Sequence, residues 1–164
     1  MDLIKVASIV KESVVDGPGF RTVVFTQGCP RHCPGCHNPG LITADGGEKM
    51  TAGELVDKIE GDITKLTKGV TFSGGDPLMQ AASLNKVLRI LKDRLPQLDI
   101  WVYTGYLYEE VKELPVMELI DVLVDGPFIE ELRDISLPFM GSSNQRLIDV
   151  PSTRKAGEII EWSK

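Results

Sequence analysis

The sequence predicts an α/β fold in which a parallel sheet curls into a partial, laterally open (βα)6 barrel. Two observations predict it. Six short β-rich runs alternate with helical patterns, and parallel neighbours need a long crossover connection, usually helical. The chain has 164 residues, whereas a closed eight-unit barrel takes roughly 250, about 31 per unit, so only five or six units fit and one side stays open.

The β-rich runs are residues 4–9 (IKVASI), 21–26 (RTVVFT), 69–72 (GVTF), 100–103 (IWVY), 120–124 (IDVLV) and 146–150 (RLIDV). Their β-branched and aromatic content is what a half-buried pleated surface selects. A first helix starts after Thr51, where Thr51 and Glu54 have the spacing of a capping box ahead of apolar Leu55, Val56 and Ile59. A second runs from about residue 81 to residue 95, with Leu84, Val87, Leu88 and Leu91 on one face and Pro96 to stop it. Shorter helices are expected over residues 107–114 and 129–133. The connection "GLITADGGEKMT" has no readable pattern, and residues 151–164 suit either a tail or a peripheral helix.

With 42% hydrophobic and 26% charged residues the composition is that of a soluble globular protein. No apolar run approaches the 18 or so residues of a membrane span, and the first residues lack a secretory pattern, so the expected location is the cytoplasm with no membrane partner. A net charge of −6, with no clustered Lys and Arg, argues against nucleic acid as a partner.

All three cysteines and both histidines fall within "GCPRHCPGCHNP", residues 28–39. An odd number of thiols cannot all enter disulfides, and metal binding is the leading reading. Cys29, Cys33 and Cys36 are spaced C-x3-C-x2-C. Thiolates suit both zinc and iron–sulfur clusters. A structural zinc site normally closes with four ligands from two separated pairs, and here the extra candidates, His32 and His37, are chain neighbours of Cys33 and Cys36. A cubane cluster accepts three thiolates from one loop and leaves one iron open. A non-catalytic zinc or iron–sulfur module remains the alternative from a different functional class.

This loop resembles the signature of the radical S-adenosylmethionine superfamily. The resemblance implies a [4Fe-4S] cluster held by Cys29, Cys33 and Cys36, with S-adenosyl-L-methionine chelating the fourth iron, although Gly35 stands where many members carry an aromatic residue. "TFSGGDP", residues 71–77, is by itself a competent strand-to-helix turn. Beside the cysteine loop it is similar to the superfamily's Gly-Gly-Glu-Pro element, which implies that Gly74, Gly75 and Asp76 approach the methionine end of the cofactor. By the same resemblance the backbone of Gly35 and His37, flanking Cys36, lies against the adenine. Thr104 and Asp125, at strand carboxyl ends, are implied as contacts of the cofactor or an associated cation.

"VDGPG" at residues 15–19, with Arg21 and "FTQGC", is similar to the start of activating enzymes for glycyl radical proteins. "IWVYTGY" (100–106), "VLVDGPF" (122–128) and "GSSNQR" (141–146) resemble the branch whose protein substrate is the large subunit of anaerobic ribonucleotide reductase, and the likeness spans about residues 15–150 of a single domain, 1–164. The resemblance implies a radical oxidoreductase that draws one electron from a flavodoxin-like donor and abstracts an α-hydrogen from a glycine of that partner. Activation of pyruvate formate-lyase or another glycyl radical enzyme, or attack on a purine-like metabolite, are the alternatives. Packing and turn geometry also account for Trp101, Tyr103 and Asp125-Gly126-Pro127 without chemistry.

Overall fold

A computed structural model describes residues 3–28 and 47–163. Seven strands form one mixed sheet: β1 (Leu3–Ser13), β2 (Phe20–Thr26), β3 (Glu48–Thr51), β4 (Thr67–Gly74), β5 (Asp99–Tyr103), β6 (Val122–Asp125) and β7 (Arg146–Asp149). The helices are α1 (Ala52–Asp62), α2 (Ala81–Arg94), α3 (Tyr108–Val111) and α4 (Val150–Ala156). All six expected strands form. The strand order is β3-β1-β2-β4-β5-β6-β7, an open sheet.

The all-parallel expectation is corrected at both margins. The β2–β4, β4–β5 and β5–β6 pairs are parallel, while β1 pairs antiparallel with β2 and with β3, and β7 pairs antiparallel with β6. The six residues between β1 and β2 are too few for a crossover, so the chain turns back on itself through Gly17, Pro18 and Gly19. Between β6 and β7 a long loop carries only a single 3₁₀ turn, Glu130–Leu132, and the chain again returns antiparallel.

Strand alternation sorts side chains onto two faces. Val24, Val70, Phe72, Ile100, Val102, Leu123 and Ile148 point to the side covered by α1 and α2, where they meet Leu55, Val56, Ile59, Leu84, Val87, Leu88 and Leu91 in one cluster. Each of those helix residues is no more than 1% exposed. The opposite face carries Trp101, Val122 and Val124, closed by Phe139, Met140, Leu147 and Trp162. Trp101 meets Phe139 and Trp162 edge to face, with centroids 5.4 and 5.0 Å away.

The expected helix at 107–114 shortens to α3 followed by a 3₁₀ turn at Pro115–Leu119. Past β7 the chain forms α4, stopped by left-handed Gly157, and then bonds back to β7: the Trp162 amide donates to the Leu147 carbonyl (2.8 Å) and the Asp149 amide to Ile160 (2.9 Å). Among the described residues no helix is long and apolar enough to cross a membrane.

Candidate functional site

The parallel register brings the carboxyl ends of β2, β4, β5 and β6 to one edge: Thr26 faces Gly74, Phe72 faces Val102, and Tyr103 faces Val124. Ligands of open α/β sheets sit at such an edge. Cys29, Cys33, Cys36, Gly35, His32 and His37 lie outside the described residues. Among the described residues no group of His, Cys, Asp or Glu could hold a metal ion. The described neighbour of Cys29 is Gly28, buried and with a φ of +107°.

Gly28 is where the two sequence motifs meet. The Asp76 amide donates to the Gly28 carbonyl (2.7 Å) and the Gly75 amide to the Thr26 carbonyl (2.9 Å), so the glycine element extends the β2–β4 pairing to the brink of the cysteine loop. Gly74 has a φ of +106°, and a β-carbon there would run into the backbone nitrogen and oxygen of Thr26. The described contact that requires glycine at 74 is therefore strand against strand.

The Asp76 carboxylate has no exposed surface. It caps the 3₁₀ turn Pro77–Gln80, with Oδ1 accepting from the Leu78 amide (3.0 Å) and from Thr104 Oγ1 (2.8 Å), while Oδ2 accepts from the Gly105 amide (2.9 Å). Thr104 Oγ1 also accepts from the Tyr106 amide (3.1 Å). One carboxylate thus bolts the end of β4 to the end of β5. Burial is tolerable because both carboxyl oxygens are hydrogen-bonded.

Asp125, also without exposed surface, is met by Arg146 through Nε (3.0 Å) and Nη2 (2.5 Å) and by the Tyr108 amide (2.8 Å). The structure places a guanidinium where the resemblance implied a cofactor or cation contact. Arg146 reaches on to Glu109 (2.7 Å), and that hydrogen bond holds the Glu109 carboxyl below its usual range. "GSSNQR" and "DGPF" prove to be two halves of one clasp. Asn144 Nδ2 donates to the Pro127 carbonyl (2.8 Å), Gln145 Nε2 to Gly126 (3.0 Å), and the Ile129 amide to Ser142 Oγ (3.3 Å).

At the amino-terminal motif, buried Arg21 donates to Thr71 Oγ1 (2.8 Å), Asp99 Oδ1 (2.5 Å) and the carbonyls of Pro18 and Val70, with Trp101 beneath it at 5.5 Å. Thr71 Oγ1 in turn donates to the Asp16 carbonyl (2.7 Å), so "VDGPG" is laid over the inner face of the sheet. Burial pushes the Asp16 carboxyl up, only partly offset by Ser13 and Arg21. Burial, aided by the Asp16 charge, also pushes the Tyr103 hydroxyl up, which leaves it protonated across the physiological range.

A family model described as a 4Fe-4S single cluster domain matches residues 15–148. Proteins named anaerobic ribonucleoside-triphosphate reductase-activating protein resemble the chain over most of its length. The one from Escherichia coli (strain K12) is 39% identical over 139 residues, 80% of this chain and 90% of that protein. The Vibrio cholerae serotype O1 protein is 41% identical over 140 residues, covering 80% and 89%. That of Enterobacteria phage T4 is 36% identical over 136 residues, covering 81% and 86%. The chain belongs to this family of reductase-activating proteins. The matched residues 15–148 of the 4Fe-4S domain include the segment that carries all three cysteines, and the chain is an activating enzyme of this family. Sequence reasoning missed two members of this activating protein's edge, Arg146 as the partner of Asp125 and Gln80; the runs of side-chain amides after Gly141 were the available signal for the clasp.

Proposed function

We propose that this chain is a radical S-adenosylmethionine activase, one domain acting in the cytoplasm, that installs a glycyl radical on the large subunit of anaerobic ribonucleoside-triphosphate reductase. One observation carries the reading: the amide of Asp76 grips the carbonyl of Gly28, so the glycine-rich element abuts the residue before Cys29. The residues fit the group, since the sequence gathers three thiols directly after Gly28, and Gly28 lies at the carboxyl edge of the parallel strands, bonded to the glycine-rich element.

In this proposal Cys29, Cys33 and Cys36 hold the [4Fe-4S] cluster, and the backbone of Gly35, His37, Gly74 and Gly75 lines S-adenosylmethionine. When bound, the pair supplies one-electron cleavage of a carbon–sulfur bond and a carbon radical able to take an α-hydrogen from a peptide glycine. The chain's own residues orient and enclose. Asp76 and Thr104 keep the Gly74–Gly75 backbone fixed against β5, and Asp125 with Arg146 fixes the start of α3 at the same edge. Trp101, Val122 and Val124, covered by Phe139, Met140, Leu147 and Trp162, hold the parallel strands that carry this edge in a packed second core. A flavodoxin-like protein is proposed as electron donor.

Reduced, cluster-loaded protein mixed anaerobically with S-adenosylmethionine and the reductase large subunit is expected to give a glycine-centred doublet in electron paramagnetic resonance. Cys29→Ala, Cys33→Ala and Cys36→Ala each abolish it, and His32→Ala retains the cluster. Pyruvate formate-lyase is offered in parallel. A doublet on the lyase alone would overturn the choice of partner, and an intact cluster after loss of any one cysteine would overturn the ligand set.

A further inference from the structure

Gly28 and Gly47 are the described residues on either side of positions 29–46, and both lie beside Gln27. A β-carbon on Gly47 would stand 2.8 Å from Gln27 Cβ and 3.1 Å from the Val6 carbonyl oxygen, and the φ of Gly47 is +72°. Gln27 is 6% exposed, and its amide donates to the Lys5 carbonyl at 3.1 Å. One distant side chain completes this junction. Gln80 Oε1 accepts from the Lys5 amide (2.7 Å), and Gln80 Nε2 donates to the carbonyls of Lys5 (3.2 Å) and Gln27 (3.3 Å).

A primary amide offers the donor and acceptor of a peptide unit. Gln80 therefore acts as one residue of an extra strand, next to the register shift that separates β1 from β2 between Val6 and Ser8. It is also the last residue of the 3₁₀ turn that Asp76 opens. The Asp76–Gln80 turn thus holds two consecutive carbonyls, Gln27 through the Gln80 side chain and Gly28 through the Asp76 amide. Cys29 is the next residue along.

We propose that Gln80 is a positioning residue that sets the direction in which the chain enters the cysteine-bearing segment, and so the hold of that segment on its cluster. The inference rests on the activase reading. Gln80 touches neither reacting atoms nor, in this account, the cofactor; it acts through Gln27 and Gly28, as outer partners act on metal ligands.

Gln80→Glu keeps the acceptor for Lys5 and sets a carboxylate oxygen against two carbonyls; Gln80→Met removes both functions at similar length and serves if the first variant does not fold. Leu91→Ala, buried on α2 about three helical turns beyond Gln80, is the control for lost stability. Two readouts are taken. In the metal-free proteins, exchange of the Lys5 amide is expected to quicken in Gln80→Met, which removes its acceptor, and not in Leu91→Ala. In the reconstituted proteins, iron loss to a chelator is expected to quicken about tenfold in the Gln80 variants, with a broadened resonance of the reduced cluster, while Leu91→Ala keeps the parent's values despite its lower midpoint of unfolding. Parental exchange and iron retention in Gln80→Met would overturn the positioning role alone. A parent protein that takes up no cluster would instead overturn the activase reading and this inference with it.

Discussion

Arg146 lies between two carboxylates of different exposure, Asp125 with none of its side-chain surface in solvent and Glu109 with 54%. Arg146→Met would strand the Asp125 charge in the interior, and a loss of about 3 kcal/mol in urea unfolding is expected, since breaking a buried pair costs more than the pair contributes. Arg146→Lys should recover only part, because an ammonium cannot reproduce the forked contact to both Asp125 oxygens. Asp16 is the reverse case. Its carboxyl is raised by burial, so folding favours the protonated acid, and that contribution is present below the unfolded value of about 3.9 and is lost as pH rises through the raised one. Asp16→Asn is expected to flatten this decline, so its urea midpoint gains on the parent's from pH 4 to pH 8; parallel curves for the two proteins would refute the assignment. The motifs containing Arg21, Asp76, Thr104 and Asp125 were legible in the sequence. Their partners were not, because a bond such as Arg146 to Asp125 joins positions 21 apart that only the antiparallel return of β7 brings together.

The two long helices were legible because their signals are local. The α1 capping box forms as its spacing requires, the Glu54 amide donating to Thr51 Oγ1 (3.2 Å) and the Thr51 amide to Glu54 Oε1 (3.1 Å). Thr51→Ala is expected to cost about 1 kcal/mol, read from the thermal midpoint, with α1 still docked through Leu55, Val56 and Ile59. Strand β3 escaped notice for a physical reason: in Glu-Lys-Met-Thr only Met50 is buried, so no alternation of apolar residues betrays it. Strand direction is likewise a long-range property. The run at β1 looks like any half-buried strand, and the shortness of the link to β2 is the one local clue that it runs antiparallel.

At the scale of the molecule, four parallel strands form the middle of the sheet and antiparallel strands flank them; Gly74, Gly75, Asp76, Thr104 and Asp125 gather along the carboxyl edge of the parallel set, while Arg21 holds its opposite edge. The open sheet was legible from length alone; the direction of its margins was not. The junction at Gln27 also makes two remote positions of the chain answer to one another. Gly28 is held by the Asp76 amide and Gly47 has no room for a β-carbon beside Gln27, so a substitution that moves Gln27 disturbs the exit from β2 and the approach to β3 together.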